Sequence, residues 1–321
     1  MKSVLFHNYG SPDQLNLEEV ATPSPSDDQV LIKVRAASVN PLDWHILRAD
    51  PFFLRLMGFG FLKPKRKILG ADIAGTVEAV GKNVQQFEPG DEVFGDISGG
   101  GFAEYACASE KALALKPTNL TFEEAASVPV GALTALQALR DHGQVQQGTR
   151  VLIHGASGGV GTFAVQIAKY FGAEVTGVCS TRNLDMVRSI GADHVIDYTC
   201  NDFVELGELY DLILAVAGHR TIGDYRRALS PGGTLIMIGG SSSSQMISTM
   251  LFSPLISMFG NKKMGSMMAK VVQKDLVFLK ELLETGKVVP VIDRQYELSE
   301  APEAIRYLEQ GHARGKVVIT I

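Results

Sequence analysis

The sequence predicts an α/β protein in which a doubly wound parallel sheet is inserted into a β-rich, barrel-like domain. Three observations predict it. Short strand-like runs punctuated by Gly and Pro fill residues 1–120. From Arg150 onward strand and helix patterns alternate, which argues for a parallel sheet with helices on both faces. A last strand-like run, GKVVITI (315–321), follows a helix and lets the C-terminal segment return to the first domain. The expected organisation is a first domain over 1–120, completed by 272–321, and an inserted domain over 121–271.

The elements follow in order. QVLIKVRAASV (29–39) partly alternates, as a half-buried strand does, and DIAGTVEAVG (72–81), GDEVFGD (90–96) and GGGFAEYACAS (99–109) are further strands. At Thr121 the rhythm changes: Thr121 can cap a helix whose first turn carries Glu123 and Glu124 at the positive end of the dipole. RVLIH (150–154) is then a strand and residues 160–171 a helix ended by Gly172. EVTGVC, HVID, DLILAVAG and TLIMIGG are strands, with NLDMVRSIG and TIGDYRRAL as intervening helices and SPGG as a turn. These strands are almost continuously apolar, as strands buried on both faces should be. KDLVFLKELLETG (274–286) is the helix before the final strand.

Composition excludes several classes. A net charge of −5 does not call for nucleic acid, whose binders usually show a clustered basic face. Three widely spaced cysteines, Cys107, Cys179 and Cys200, form neither a disulfide framework nor a zinc pattern. That usage fits a reducing cytosol, so a cytoplasmic location is expected. The start, MKSVLFHNYGSPDQ, lacks the long apolar core of a signal peptide, and with no run of 18 apolar residues no spanning helix is expected.

The chemistry begins at Ala156-Ser157-Gly158-Gly159-Val160-Gly161, which departs by one residue from the G-x-G-x-x-G dinucleotide fingerprint. It lies between a strand and an amphipathic helix, so a Rossmann domain is expected. The helix start and its dipole attract a pyrophosphate, Gly158 and Gly159 admit the phosphates, and Gly161 allows close packing on the sheet. Ala156 adds one methyl group where the tight turn begins. At the end of the next strand stand Ser180, Thr181 and Arg182, with no acid to bond a ribose 2′-hydroxyl. Ser180 and Arg182 suit a 2′-phosphate, which predicts NADPH over NADH; the alternative is that Arg182 opens the next helix as a solvated charge.

The runs NPLDW (40–44), LGADIAGTVEAVG (69–81), GDEVFG (90–95), AASVPVGALTALQAL (125–139), GASGGVGTFAVQIAK (155–169) and GADHVIDY (191–198) carry a resemblance over nearly the whole chain. The sequence resembles the zinc-independent quinone oxidoreductases of the medium-chain dehydrogenase/reductase superfamily. The resemblance implies a GroES-like catalytic domain around the Rossmann domain. Zinc dehydrogenases of that superfamily carry Cys at Asn40, His-Glu at Ala71-Asp72 and a third Cys near Val130 and Gly131. Asp43 and His45 alone do not make a zinc site, so no metal is expected. Without a Lewis acid, hydride transfer to quinones or to activated C=C bonds of α,β-unsaturated carbonyls is the accessible chemistry.

The resemblance further places Asn40 beside the nicotinamide, and Thr134 at the start of a helix near its amide. It assigns Ser157, Gly158, Gly159 and Val160 to the pyrophosphate and Ser180, Arg182 and Tyr198 to the 2′-phosphate. Gly218 and Gly239 end strands at the cofactor edge. Related enoyl reductases carry a proton-donating Tyr where this chain reads HILRADP (45–51). His45 is a candidate donor there, with a structural histidine and protonation by water as the alternatives. Arg314 or Lys316 is assigned either to the cofactor phosphate or to a solvated turn. Phe52, Phe53, Leu56, Phe59, Phe61 and the Met-rich 246–268 segment suit a wall or lid over a pocket for small hydrophobic electrophiles. Core packing, a homodimer contact and a membrane surface are the alternatives for both. Two further functions stay in competition: a 2-enoyl thioester reductase using Lys63, Lys65, Arg66 and Lys67, and a catalytically weak cofactor-binding interaction protein.

Overall fold

The expected partial alternation is seen over residues 32–36, where Lys33 and Arg35 are exposed between the buried Ile32, Val34 and Ala36. In this computed structural model, which describes residues 1–56, 60–216, 218, 220–239 and 261–321, β1 (Lys2–Phe6) pairs antiparallel with β2 (Leu15–Glu19). β3 (Gln29–Val39) is the longest strand of a larger sheet. It pairs antiparallel with β4 (Asp72–Val80), and β4 with β5 (Glu92–Asp96). β6 (Tyr105–Ser109) also pairs with β3, and β7 (Leu113–Leu115) extends β5. The inward side chains, among them Phe6, Ile32, Ile73 and Phe102, form one apolar core. Helix α1 (Pro41–Arg48) follows β3 directly, with Pro41 at its first position, where a missing N–H costs nothing.

The stretch after Thr121 folds as two helices rather than one. Thr121 caps α2 (Phe122–Ala126), and Pro129 starts α3 (Pro129–Gln137). A proline disfavours helical backbone in the residue before it, which separates the two. Because α2 packs on β3 and β4, contacts divide the chain at Val130/Gly131, some ten residues beyond the change of rhythm at Thr121. One unit is Met1–Val130, Val271–Gly286 and Pro290–Ile321; the other is Gly131–Lys270 with Lys287–Val289.

The second unit holds a parallel sheet built from β8 (Arg150–His154), β9 (Glu174–Cys179), β10 (His194–Asp197), β11 (Tyr210–Val216), β12 (Leu229–Ile238) and β13 (Lys263–Ser266). Its spatial order is β10-β9-β8-β11-β12-β13, the doubly wound order whose switch point lies between β8 and β11. The predicted SPGG turn lies inside β12, where the register passes from Leu229 straight to Thr234. β13 is an addition to the predicted strands. The helices of this unit are α4 (Gly161–Tyr170), α5 (Leu184–Ser189) and α6 (Ile222–Ala228).

The chain then returns to the first unit. Helix α7 (Gln273–Glu284) precedes β14 (Ile292–Glu297), and α8 (Ala301–Glu309) precedes β15 (Lys316–Thr320). β15 pairs antiparallel with β3, setting Val317 opposite Val39. Of the proposed pocket wall, Phe52, Leu56 and Phe61 are exposed, and the Phe52 and Phe61 rings meet edge to face at 6.1 Å. The Phe53 side chain, Phe59 and most of the Met-rich segment lie outside the described residues. Among the described residues no helix is long and apolar enough to cross a membrane.

Helix α4 packs so tightly on the sheet that residues Gly161 through Ala168 are all buried. A Cβ on Gly161 would lie 2.1 Å from the Gly155 carbonyl oxygen. Gly161→Ala should therefore destabilise the protein by about 1–3 kcal/mol, read as a lowered denaturant midpoint. An unchanged midpoint would contradict this packing.

Candidate cofactor site and polar cluster

The first candidate region is a buried polar cluster in the first unit. Asn40 is the N-cap of α1, yet its side chain makes no cap. The cap falls to Asp43, whose carboxylate accepts from Asn40 N–H at 2.7 Å and from Gly70 N–H at 2.9 Å. The Asn40 amide is spent elsewhere. Its Nδ2 donates to Asp72 Oδ2 at 2.9 Å, and its Oδ1 accepts from Lys316 Nζ at 2.7 Å. Asp72 also accepts from Ser38 Oγ at 2.8 Å, from Lys316 Nζ at 3.2 Å and from Val130 N–H at 2.9 Å. Asn40, Asp72 and Lys316 are all buried.

This overturns the solvated-turn reading of Lys316, which is buried with its Nζ on Asn40 and Asp72. Register explains it: β15 begins at Lys316, beside the end of β3, so its side chain enters next to Asn40. The clue in the sequence is Asp72, a carboxylate that opens a strand and is followed by Ile73, Ala74 and Gly75, all buried, so that it needs donors or a cation. At the positions where zinc dehydrogenases place Cys and His-Glu, an amide and a carboxylate here hold an ammonium. That donor set does not fit a metal ion.

Electrostatics follow from the same geometry. The β4–β5 register sets Asp96 directly opposite Asp72. Burial, and then the Asp72 charge, push the Asp96 carboxyl well above the usual range. Burial also raises Asp43, to about 6, against the two backbone hydrogen bonds that favour its charge.

His45 sits on α1 with its ring stacked on Trp44 at 3.6 Å and its Nδ1 2.6 Å from the Asp50 carbonyl oxygen. A carbonyl only accepts, so Nδ1 carries the proton. Burial lowers the ring's pKa, favouring the neutral form, in which Nε2 is a lone pair. This geometry supports the structural reading of His45 and leaves it a poor proton donor.

The second region lies at the C-terminal ends of the parallel strands. The tight turn after β8 belongs to Gly155, with φ of +87° and room for no Cβ, since one would lie 2.5 Å from Val216 O. Ala156, one residue on, is buried with backbone outside the left-handed region. The departure from G-x-G-x-x-G is thus a shift: the glycine demanded by the turn precedes the alanine. A Cβ on Gly158 would meet only Gly155 O, at 3.6 Å, so this part of the turn is open. Val160 is the N-cap of α4, whose start has no side-chain cap and no acid in its first turn. An uncapped, uncompensated helix N-terminus behind an open glycine turn fits a pyrophosphate.

Ser180 follows β9, the exposed Arg182 lies on the 3₁₀ turn after it, and the half-exposed Tyr198 follows β10. β9 and β10 are neighbours, and Tyr198 N–H donates to Cys179 O at 3.1 Å, so the three residues converge at one end of the sheet. Asp197 lies there too, opposite Cys179, but its Oδ1 accepts from Thr199 N–H at 2.9 Å and Thr199 Oγ1 at 2.7 Å. Sequence reasoning missed Asn183, buried beside Ser157 and Ser180. Gly218 has an internal reason to be glycine, because a Cβ would sit 1.9 Å from the Tyr225 hydroxyl. Gly239 ends β12 at φ of +69° in open space. Thr134 stands well inside α3 rather than at its start, because Pro129 opens the helix.

Comparison with known proteins agrees with this architecture. A family model described as alcohol dehydrogenase GroES-like domain matches residues 26–118, and one described as zinc-binding dehydrogenase matches residues 190–319. The chain is 35% identical over 334 residues to quinone-oxidoreductase QR1 of Triphysaria versicolor, covering 99% of this chain and 98% of that one. It is 33% identical over 333 residues to the NADPH-dependent alkenal/one oxidoreductase of Arabidopsis thaliana, covering 99% and 79%. The solved quinone oxidoreductase from Coxiella burnetii superposes with a TM-score of 0.87 at 32% identity, covering 100% and 99%. Both plant relatives are named as chloroplastic, which lends the cytoplasmic expectation no support.

Two outcomes test the buried cluster. Lys316→Met leaves Asp72 without its cation and should cost about 3–5 kcal/mol of stability. Combining it with Asp72→Asn should recover part of that loss, whereas additive losses would show that the two groups are not coupled. Asp96, whose folded pKa is raised, contributes stability that is full below the ordinary carboxyl range and lost as pH rises through its folded value. Asp96→Asn keeps the acceptor for Ser98 N–H. Its thermal stability relative to the parent should therefore grow between about pH 4 and about pH 7 and level off above that. A pH-independent difference would refute the shift.

Proposed function

The chain belongs to the zinc-independent quinone oxidoreductase family of the medium-chain dehydrogenase/reductase superfamily, and from that premise we propose that it uses NADPH to reduce quinones or the activated C=C bond of α,β-unsaturated carbonyls. The observation that carries the coenzyme preference is the convergence of Ser180, Arg182 and Tyr198 at the end of β9 and β10. The turn Ser157-Gly158-Gly159-Val160 holds the pyrophosphate at the start of α4. Ser180, Arg182 and Tyr198 take the 2′-phosphate, and Asn40 and Thr134 serve the nicotinamide end. Gly218 and Gly239 keep the backbone at the strand ends free of side chains. When bound, the reduced nicotinamide supplies a hydride.

The chain's own residues do the rest. Asn40 offers an amide whose orientation is fixed on both sides, by Lys316 on the oxygen and Asp72 on the nitrogen. The acceptor needs no metal, because its conjugated carbonyl already draws electron density from the C=C bond. Hydride addition at the far carbon would leave the electron pair on the carbonyl oxygen, and the protein's part would be to orient the acceptor and let a proton reach the product. With His45 held neutral and its proton tied to Asp50, that proton comes from water.

A second reading, reduction of 2-enoyl thioesters, is favoured by one feature: Lys63, Lys65, Arg66 and Lys67 are exposed in a row, as a phosphorylated carrier would require. Steady-state comparison of enone and enoyl-CoA substrates separates the two. The coenzyme is tested by titration. The protein should bind NADPH more tightly than NADH, and Arg182→Ala should weaken NADPH about ten- to a hundredfold while sparing NADH. Equal affinities for the two would reject the 2′-phosphate assignment. NADPH that binds but is never oxidised across quinones, enones and enals would instead favour a non-catalytic binding protein.

A further inference from the structure

We propose that Asn183 is a positioning residue that turns the hydroxyl protons of Ser157 and Ser180 toward the coenzyme, and so helps set the preference for a 2′-phosphate. The inference rests on the coenzyme reading above. Asn183 closes the 3₁₀ turn Thr181–Asn183 and is the N-cap residue of α5, yet its side chain makes no cap. Its Nδ2 instead donates to Ser157 Oγ at 3.0 Å and to Ser180 Oγ at 3.2 Å. One buried amide therefore joins the pyrophosphate turn to the 2′-phosphate corner.

The chemistry lies in the direction of these bonds. An amide nitrogen only donates, so both serine oxygens accept from it, and each serine keeps its single proton to give elsewhere. Phosphate oxygens accept; a serine whose proton was already committed to the protein would present only lone pairs to them. Asn183 Oδ1 is buried and has no protein partner. Turned over, the same amide would consume both serine protons and bury a two-hydrogen donor without an acceptor. The observed orientation keeps both hydroxyls as donors.

The test is calorimetric titration of NADPH and NADH into the parent protein, Asn183→Ala, Ser180→Ala and the double variant. Asn183→Ala should weaken NADPH about tenfold and NADH less, because only the Ser157 contact is common to both. The ratio of the two affinities should fall, and the double variant should lose less than the product of the single losses. A ratio unchanged by Asn183→Ala, or independent losses, overturns the inference while leaving the coenzyme reading intact. A parent protein with no preference for NADPH overturns both. Should the alanine variant not fold, Asn183→Leu keeps the volume, removes the donor and is read by the same ratio.

Discussion

Four donors converge on the Asp72 carboxylate: the Ser38 hydroxyl, the Asn40 amide, the Lys316 ammonium and the Val130 backbone N–H. They come from the end of β3, from the cap of α1, from the last strand and from the start of α3. A buried carboxylate is costly unless every lone pair is met, so the chain must bring these separate segments to one point. The return of the C-terminal strand beside β3 is the topological consequence, and the fixed orientation of the Asn40 amide is the local one.

The same constraint explains what kind of chemistry this member of the family retains. The family's zinc-dependent cousins use a divalent cation as a Lewis acid. Here the cation is a side chain, held on Asn40 and Asp72, and an ammonium donates hydrogen bonds without opening a coordination position to substrate. The proposed reaction needs only positioning, because its acceptors carry their own activation. Asp96, opposite Asp72, then resists ionisation, because it is buried and faces the Asp72 charge.

Local patterns made the second unit legible. Runs such as LILAV are apolar without interruption because their strands are covered on both faces, and the glycine turn announces itself by composition. Residues whose role depends on tertiary pairing were not legible. Lys316 reads as a turn residue until β15 is placed against β3, and Asn183 reads as a helix opener until Ser157 folds beside it. Gly155 takes the strained turn assigned to Ala156, because Val216 of a distant strand leaves no space for a side chain. The strand KMGS (263–266) has no periodic signal, being defined by its pairing with β12 alone. His45 shows the converse: a chemically suggestive residue whose burial and carbonyl partner favour a structural role.

A crystal structure of the chain with NADPH bound tests the central claim most directly. The account predicts Lys316 Nζ still on Asn40 and Asp72, the pyrophosphate on the Ser157–Val160 turn, and the 2′-phosphate among Ser180, Arg182 and Tyr198. A Lys316 side chain withdrawn from Asp72 onto a coenzyme phosphate, with the Asn40 amide released, would contradict it.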